Sequence, residues 1–295
     1  MKELTAENEV CLALGYFDSV HLGHRRLIET AGGFAHSKGI ASAVATFTNN
    51  AYKVFNRDEK VVYTYAERTQ LLNGLCDYVL PMRFDKRLKD CTAEHFLDAL
   101  TAKYRIRAIV CGYDYLFGAG AEGDAEFLKN YCDVHGLDCV IVDKLEYDGV
   151  RVSTSEVKHL LADGQIERAN TFLGEPFMMC GKVVAGRGAG RMFDIPTANL
   201  KIPVDKIIPK RGVYGTECVI DGKTYCGATN VGGRPTFDLT KIAIETMICD
   251  FSDNIYDKEI KLYFYKYLRP VTKFDTPKEL SEQVHKDIHW SNENA

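Results

Sequence analysis

Residues 15–24 read Gly-Tyr-Phe-Asp-Ser-Val-His-Leu-Gly-His, and they join a short apolar run to residues 24–38, whose apolar side chains recur at helical spacing. This order predicts a buried strand, a tight turn and a helix start. The first N–H groups of a helix have no partner within it and its dipole is positive there, so the turn forms an anion site. His21 and His24 share one face, and Gly23 between them lets a ligand approach the backbone. The stretch suits the phosphate of a nucleotide.

An isolated His-x-x-His is as consistent with a helix-capping or surface pair as with a functional site. The whole pattern, however, resembles the signature of the HxGH nucleotidyltransferases, most closely that of bacterial FAD synthetase, which is usually fused to a riboflavin kinase. The resemblance implies that His21 and His24 stabilise charge on the phosphates of ATP. It assigns ATP or phosphate binding to Gly15, Phe17, Asp18 and Gly23.

Composition sets limits on the function. The chain has 295 residues, enough for two domains, and is 46% hydrophobic and 26% charged, as in ordinary globular proteins. A net charge of −4 gives no basic surface for nucleic acid. A polar N-terminus and the lack of a long apolar run predict a cytoplasmic protein without a membrane partner. The ten cysteines show neither zinc spacing nor a disulfide framework. Oligomeric state is not indicated.

The first half alternates strands with helices. Predicted strands cover 10–14, 40–47, 77–80, 106–111 and 137–142, and predicted helices cover 24–38, 66–75, 92–104 and 124–135. This alternation favours a Rossmann-like parallel sheet with helices on both faces. Ligands of such sheets bind at the carboxyl ends of the strands, where the turn at 15–24 and the turn at Gly112 both lie.

The Gly112 turn opens a glycine-rich loop, which alone is weak evidence for a ligand site. Tyr115 and Phe117 offer stacking faces in it. The loop resembles the Gly-x-Asp-Phe-x-Phe-Gly segment of the FAD synthetase family, and the resemblance implies that Asp114, Tyr115 and Phe117 bind the flavin.

Hydroxyl residues precede a helix at 152–158, where they would ordinarily be caps. The segment resembles the Ser-Ser-Thr-x-Ile-Arg motif of the family, which implies that Ser153, Thr154 and Lys158 hold the β- and γ-phosphates of ATP.

Three departures from the family pattern concern this half. Residues 48–51 read Thr-Asn-Asn-Ala where the family has a Pro-His-Pro loop, residues 119–122 lack a basic side chain, and Lys158 replaces an arginine. Lysine keeps the charge and loses the bidentate fork. An altered or weak adenylyl-transfer site is therefore one alternative.

After a Gly-Glu-Pro-Phe junction at 174–177, the pattern becomes one of short strands, and domains of 1–175 and 176–295 are expected. Strands at 178–184, 213–220, 223–229, 242–251 and 260–268, with an Asp-Gly hairpin turn at 221–222, predict a small closed antiparallel β-barrel. A terminal helix beginning at a capping box, 276–279, is expected to bury Leu280, Val284 and Ile288.

A basic glycine-rich loop at 186–191 precedes Pro-Thr-Ala-Asn at 196–199. Backbone N–H groups and arginines suit a polyphosphate, and the oxygens of Thr197 and Asn199 suit Mg²⁺. The spacing differs from that of a P-loop. Together, the segments 186–191 and 196–199 resemble the riboflavin kinase signature. The resemblance implies phosphate binding by Gly186, Arg187, Gly188, Gly190 and Arg191.

Further elements of that signature follow in order. Glu245 lies within an apolar strand, where a carboxylate paired with a nearby lysine or arginine is the plainer reading. The resemblance instead implies that Glu245 accepts the proton of the riboflavin 5′-hydroxyl. It assigns flavin binding to Asn230, Arg234 and Arg269.

The sequence thus predicts a bifunctional enzyme that phosphorylates riboflavin to FMN and adenylylates FMN to FAD, with ATP as co-substrate, Mg²⁺ as cofactor and small molecules as partners. Two alternatives remain: a riboflavin kinase with a degenerate adenylyltransferase domain, and a non-catalytic flavin- or nucleotide-sensing regulator.

Overall fold

The computed structural model describes the chain from residue 2 onward except for 186–196, 235–237, 252, 275, 277, 280–281, 284–285 and 288–295. It divides into two compact units, Met1–Thr154 and Ser155–Ala295. The helices that follow residue 154 fall in the second unit, so the domain boundary expected after residue 175 stays a prediction.

The first unit is built around a six-stranded parallel sheet. Its strands are β1 (Lys2–Glu3), β2 (Glu9–Leu14), β3 (Ala41–Phe47), β4 (Tyr78–Met82), β5 (Arg105–Gly112) and β6 (Asp138–Val142). A separate hairpin is formed by β7 (Glu146–Tyr147) and β8 (Val150–Arg151). The helices are α1 (Leu22–Lys38), α2 (Tyr65–Leu72), α3 (Lys86–Lys89), α4 (Ala93–Lys103) and α5 (Ala125–His135), with 3₁₀ turns at Ala51–Phe55 and Ala119–Ala121.

The strand order β1-β4-β3-β2-β5-β6 sets the ligand-binding edge. From β2 the chain builds outward through β3 and β4 and then returns to start the other side with β5. Parallel sheets bind ligands at this switch point, outside the carboxyl ends of the strands. The turn at 15–24 follows β2 and the Gly112 turn follows β5. The predicted parallel sheet is therefore confirmed, and both turns lie at its switch point.

The apolar character of the central strands follows from burial on both faces. Residues 10–14 of β2 are all at most 1% exposed, so the strand reads as a continuous apolar run. The helices around it have the expected caps: the Thr92 side chain accepts a hydrogen bond from the His95 N–H, and the Asp124 side chain accepts one from the Phe127 N–H. These caps fix where α4 and α5 begin.

The second unit is a closed antiparallel barrel preceded by two helices, and the predicted barrel is confirmed. The helices are α6 (Thr154–Asp163), whose first residue belongs to the first unit, and α7 (Ile166–Leu173). The strands are β9 (Phe177–Val184), β10 (Thr197–Lys201), β11 (Gly212–Ile220), β12 (Lys223–Arg234), β13 (Asp238–Ile248) and β14 (Glu259–Arg269), in the barrel order β10-β13-β12-β11-β14-β9.

The turn between β11 and β12 has the predicted geometry. Asp221 and Gly222 have φ angles of 49° and 81°, and Ile220 pairs with Lys223 across the two-residue loop. Inside the barrel, the buried hydroxyls of Thr216, Thr229 and Thr246 form a chain of 2.8 Å hydrogen bonds. This chain is polar but internally satisfied, so it links three strands within an otherwise apolar core.

The C-terminal segment is described only in part. The Thr276 hydroxyl accepts a hydrogen bond from the Glu279 N–H at 3.3 Å, as a helix cap would. Leu280, Val284 and Ile288, which the sequence predicts to be buried, lie outside the described residues. In the described part of the chain, helices are too short or too polar to span a membrane.

Candidate functional sites

The turn after β2 sets two imidazole rings against each other. His21 is the N-cap of α1, and its Nδ1 accepts a hydrogen bond from the His24 N–H at 3.1 Å. The two rings stack with centroids 3.7 Å apart and planes 7° apart. Phe17 and Val20 have φ angles of 53° and 45°, a left-handed conformation that is costly for a bulky or β-branched residue. This strain is concentrated where the chain has to present both rings at one helix start.

Both imidazoles are neutral near pH 7. Burial lowers the pKa of His21 to about 4. The pKa of His24 lies well below its usual value because of burial, with smaller contributions from His21 and Arg68. Since Nδ1 of His21 accepts a hydrogen bond, the proton of the neutral ring is on Nε2. The His21 ring thus carries an Nε2–H donor. In the described part of the chain, Nδ1 of His24 is buried without a hydrogen-bond partner.

The other predicted residues of this turn shape it from within. A Cβ on Gly23 would lie 3.1 Å from Cε1 of His21, and a Cβ on Gly15 would lie 2.8 Å from the Phe17 ring. Phe17 is fully buried, and the Asp18 carboxylate, 2% exposed, accepts a hydrogen bond from the Val62 N–H at 2.8 Å. The sequence predicts that Phe17 and Asp18 bind ATP; with their side chains buried, only their backbone is available for such a contact.

The hydroxyl motif meets the turn within the first unit. The Ser19 and Thr154 hydroxyls share a hydrogen bond of 3.0 Å. The carbonyl of Val152 lies 3.8 Å from a Cβ built on Gly23. Ser153 and Thr154 are therefore brought beside the histidine turn, and their phosphate-binding role stays a prediction. Lys158 lies one helical turn later on α6, in the second unit, and its phosphate-binding role stays a prediction.

The Gly112 loop differs in part from the prediction. Phe117 is 8% exposed and packs in the sheet core, where its ring contacts Phe96 and Phe127. It therefore offers no open stacking face, because Gly123 and Gly118 let the loop close over it. Tyr115 stacks on Phe117, with centroids 5.4 Å apart.

Arg151, a residue that the sequence analysis missed, reaches the same loop. It forms an ion pair with Asp114 and lies 5.2 Å from the ring centroid of Tyr113, which is exposed. No sequence signal marks this arginine, since its role depends on the fold-back of the β7–β8 hairpin. The loop thus presents Tyr113, Asp114 and Arg151 toward solvent.

The loop that replaces Pro-His-Pro is held by its own side chains. The Asn49 amide donates to the Phe84 carbonyl at 2.8 Å and accepts from the Phe84 N–H at 2.9 Å. Asn50 caps the following 3₁₀ turn through the Tyr52 N–H and donates to the Glu59 carbonyl. Both amides are therefore committed to the loop, which leaves neither in place of the absent histidine.

A row of polar residues crosses the outer face of the barrel. Asn199 of β10 and Asn230 of β12 both pair with Glu245 of the intervening strand β13. Directly paired residues of antiparallel strands lie on the same face, about 4.5–5.5 Å apart. Thr197 lies two residues before Asn199 and so shares this face.

Glu245 is half-buried and is not ion-paired with any described lysine or arginine, which removes support for the plainer reading of a strand salt bridge. The Oδ1 atom of Asn230 is buried with no hydrogen-bond partner among the described residues. A buried, unpaired carbonyl oxygen beside a carboxylate marks a place where a ligand donor is expected.

The donor set of this row fits Mg²⁺. The described residues contain no cluster of three His, Cys, Asp or Glu, so a cage made wholly by such ligands is absent there. Mg²⁺ is instead held by one or two protein oxygens together with substrate phosphates and water. The Thr197 hydroxyl and the Asn199 amide oxygen are oxygens of this kind, and their role as ligands stays a prediction.

Arg269 of β14 lies on the same face as this row. Val213 of β11 pairs with Asn230 on one side and with Arg269 on the other, so all three residues share that face. Its guanidinium donates to both carboxylate oxygens of Asp287, at 2.7 to 3.2 Å, and Gln283 also donates to Asp287. Arg269 is thus held by a carboxylate, and its predicted contact with flavin stays a prediction. The loop at 186–191 and the side chain of Arg234 lie outside the described residues.

Comparison with known proteins assigns a different family model to each half of the chain. A family model described as FAD synthetase matches residues 3–156, and one described as riboflavin kinase matches residues 173–294. Bifunctional riboflavin kinase/FMN adenylyltransferases from Listeria monocytogenes and Bacillus subtilis are 33% and 32% identical, covering 97% and 94% of this chain and 92% and 89% of those proteins. The Escherichia coli protein of that name is 32% identical over 96% of this chain and 92% of its own.

A crystal structure described as a macrolide-efflux protein from Streptococcus pneumoniae has a TM-score of 0.86 and 28% identity, over 99% of both chains. Two family models lie in tandem along the chain, and the relatives match over nearly its whole length. The chain belongs to the bifunctional riboflavin kinase/FMN adenylyltransferase family.

Proposed function

We propose that the second unit transfers the γ-phosphoryl group of ATP to riboflavin, and that the first unit transfers AMP from a second ATP to the resulting FMN. The register that sets Glu245 between Asn199 and Asn230 supports the kinase step. The stacked, neutral imidazoles at the start of α1 support the adenylyl step.

In the kinase step, the Glu245 carboxylate accepts the proton of the riboflavin 5′-hydroxyl while the hydroxyl oxygen bonds to the γ-phosphorus. The bond from that phosphorus to the β,γ-bridging oxygen breaks, and ADP leaves. Thr197 and Asn199 would hold Mg²⁺, which neutralises charge on the phosphates when it is bound. The buried Oδ1 of Asn230 accepts a hydrogen bond from the substrate, and this fixes its orientation beside Glu245.

In the adenylyl step, a phosphate oxygen of FMN bonds to the α-phosphorus of ATP and the bond to the α,β-bridging oxygen breaks. FAD and pyrophosphate result, and no protein group gains or loses a proton. The Nε2–H groups of His21 and His24 donate to the phosphate oxygens on which negative charge grows. The hydroxyls of Ser153 and Thr154, held beside the turn through Ser19, position the departing pyrophosphate.

For the flavin of the adenylyl step, we propose contacts on the solvent side of the Gly112 loop. Tyr113 is the exposed ring there, and Asp114 and Arg151 provide polar groups of both signs. Tyr115 belongs to the same proposed flavin site, and its ring is held by stacking on Phe117. The ten cysteines are all free thiols, which supports a reducing, cytoplasmic location.

Chromatography of the flavins tests this proposal. The purified protein is incubated with riboflavin and Mg-ATP, and the flavins are resolved over time. FMN that appears first and then converts to FAD is the expected result. FMN that accumulates without FAD would support a monofunctional kinase, and failure to form FMN would support a sensor. Glu245→Gln should strongly lower FMN formation and leave the conversion of supplied FMN to FAD intact.

A further inference from the structure

Arg68 is a charged side chain in the interior of the first unit that the proposed mechanism does not use. It lies on α2 and is 1% exposed, which makes it the largest fully buried side chain of the described residues. Arginine is seldom fully buried without a carboxylate partner, because removing its charge from water is costly. A guanidinium in this position therefore requires a physical reason.

The contacts of Arg68 are with backbone carbonyls and one ring. Its guanidinium donates to the Tyr63 carbonyl at 3.0 Å and to the carbonyl of Phe47, the last residue of β3. The Tyr16 ring centroid lies 4.9 Å from the guanidinium carbon. These neutral groups leave the positive charge in place, and ion pairs between Arg68 and a carboxylate are absent from the described residues.

These partners belong to the phosphate-binding turn or adjoin it. Tyr16 is a residue of the turn itself, and the Tyr63 N–H donates to the Asp18 carbonyl at 3.1 Å. The charge of Arg68 also contributes to the low pKa of His24. Arg68 thus lies in the protein layer that supports the turn, where low polarity leaves its field weakly screened.

We propose that Arg68 is a positioning residue of the adenylyl-transfer site, whose buried guanidinium fixes the turn through Tyr16 and Tyr63 and supplies a permanent positive charge to bound phosphates. The imidazoles donate hydrogen bonds but carry no charge, so a fixed cation completes the site electrostatically. The inference rests on the proposed function of the first unit.

Charges that face the histidines determine how this can be tested by pH. His24 faces His21 and Arg68, and His21 also faces the Asp114 carboxylate and the Arg151 guanidinium. Burial raises the pKa of the Tyr16 hydroxyl; the buried Asp18 carboxylate raises it further, and Arg68 lowers it. Removal of Arg68 alone should therefore raise the pKa of His24, because the remaining groups are unchanged.

The experiment compares Arg68→Met, Arg68→Gln and Arg68→Lys with Arg57→Met, which removes an exposed arginine of the same charge. FAD formation is started from FMN, so that the kinase step is bypassed, and KM for ATP and kcat are measured. Loss of one buried charge should raise KM for ATP on the order of tenfold in the Met and Gln variants. The Lys variant keeps the charge and should lose less than the Met and Gln variants, and Arg57→Met should stay close to the parent.

Two further readouts keep the test decisive. The Cε1–H resonance of His24, followed by NMR against pH, should titrate at higher pH in the Met and Gln variants only, and their binding of inorganic pyrophosphate, measured by calorimetry, should weaken. If Arg68→Met does not fold, Arg68→Gln still removes the charge and keeps an amide N–H that can donate to one of the backbone carbonyls.

Equal loss in the Lys, Met and Gln variants, with an unchanged His24 titration, would overturn the proposal and leave Arg68 a packing anchor. If the parent forms no FAD, the function proposed for the first unit fails. The titration and the pyrophosphate binding then still decide on Arg68.

Discussion

Replacing Gly23 with alanine should separate the chemistry of the first unit from its stability. Gly23 lies in the first turn of α1, and its φ is not in the left-handed region, so alanine suits the backbone there. The new methyl group, however, would lie 3.1 Å from Cε1 and 3.2 Å from Nδ1 of His21. Carbon atoms pack at about 3.5–4.0 Å, so the His21 ring has to shift by a few tenths of an ångström.

The two effects on stability nearly cancel. Alanine gains up to about 1 kcal/mol of helix propensity over glycine. A displaced His21 ring weakens its cap to the His24 N–H, and losing an N-cap costs about 0.5–2 kcal/mol. The net change should therefore lie within about 1 kcal/mol, a shift of a few degrees in Tm.

Activity should change much more. The shift moves the Nε2–H donor of His21. It also disturbs the stacking of the His21 and His24 rings, whose centroids lie 3.7 Å apart. Since a displacement of about 1 Å can cost ~100-fold in rate, we expect a loss on the order of tenfold in FAD formation from FMN. FMN formation by the second unit of the same chain should be unchanged.

Gly32→Ala and Gly33→Ala are matched controls, because they lie on the same helix and a Cβ there meets nothing within 4 Å. Each should raise stability by about 0.5–1 kcal/mol, measured by denaturant unfolding, and leave both activities unchanged. Full FAD formation by Gly23→Ala would refute the reasoning, since it would show that the position of the His21 ring does not matter.

Three further predictions use other parts of the structure. Glu245→Gln should lower FMN formation by about 10²–10⁴, measured at saturating ATP, while FMN adenylylation stays intact; a fully active variant would remove Glu245 as the base. The pKa of His21 is about 4 in the folded protein and 6.5 ordinarily, so the unfolded state binds more protons between these pH values. The first unit should therefore lose stability as pH falls from about 6.5 toward 4. Thermal unfolding at several pH values should show a smaller loss for His21→Gln, and equal losses would contradict the assignment. Asn49→Ala should destabilise the first unit by about 1–3 kcal/mol by leaving two backbone groups of Phe84 unpaired, without change in FMN formation.

The sequence predicted those features that depend on local order. The switch-point turn, the caps at Thr92 and Asp124 and the hairpin at Asp221 are each set by residues within a few positions of one another. Short-range rules therefore suffice for them. The parallel sheet followed as well, since alternating strands and helices allow few other arrangements.

Features that depend on register or on long-range packing could not be predicted in this way. Asn199, Glu245 and Asn230 come from three strands, and only the pairing of those strands shows that they share a face. Burial of Phe117 depends on Phe96 of α4 and Phe127 of α5, whose rings contact it. An aromatic residue in a glycine-rich loop has the same sequence pattern whether it is buried or exposed.

The loop at 48–51 shows how this chain departs from its family without losing the architecture of the site. The Asn49 amide bonds to the backbone of Phe84, and the Asn50 amide bonds to the backbone of Tyr52 and Glu59. The Tyr16 hydroxyl donates to the Asn49 carbonyl and accepts from the Ala51 N–H. These hydrogen bonds hold the loop in place, and both asparagine amides are used in them rather than standing in for the histidine of the Pro-His-Pro pattern. Tyr16 also stacks on Arg68, so the loop, the turn and the buried charge form one connected structure. On this reasoning, Asn50→His would remove the Asn50 bonds to Tyr52 and Glu59, and it should weaken the loop rather than improve adenylyl transfer.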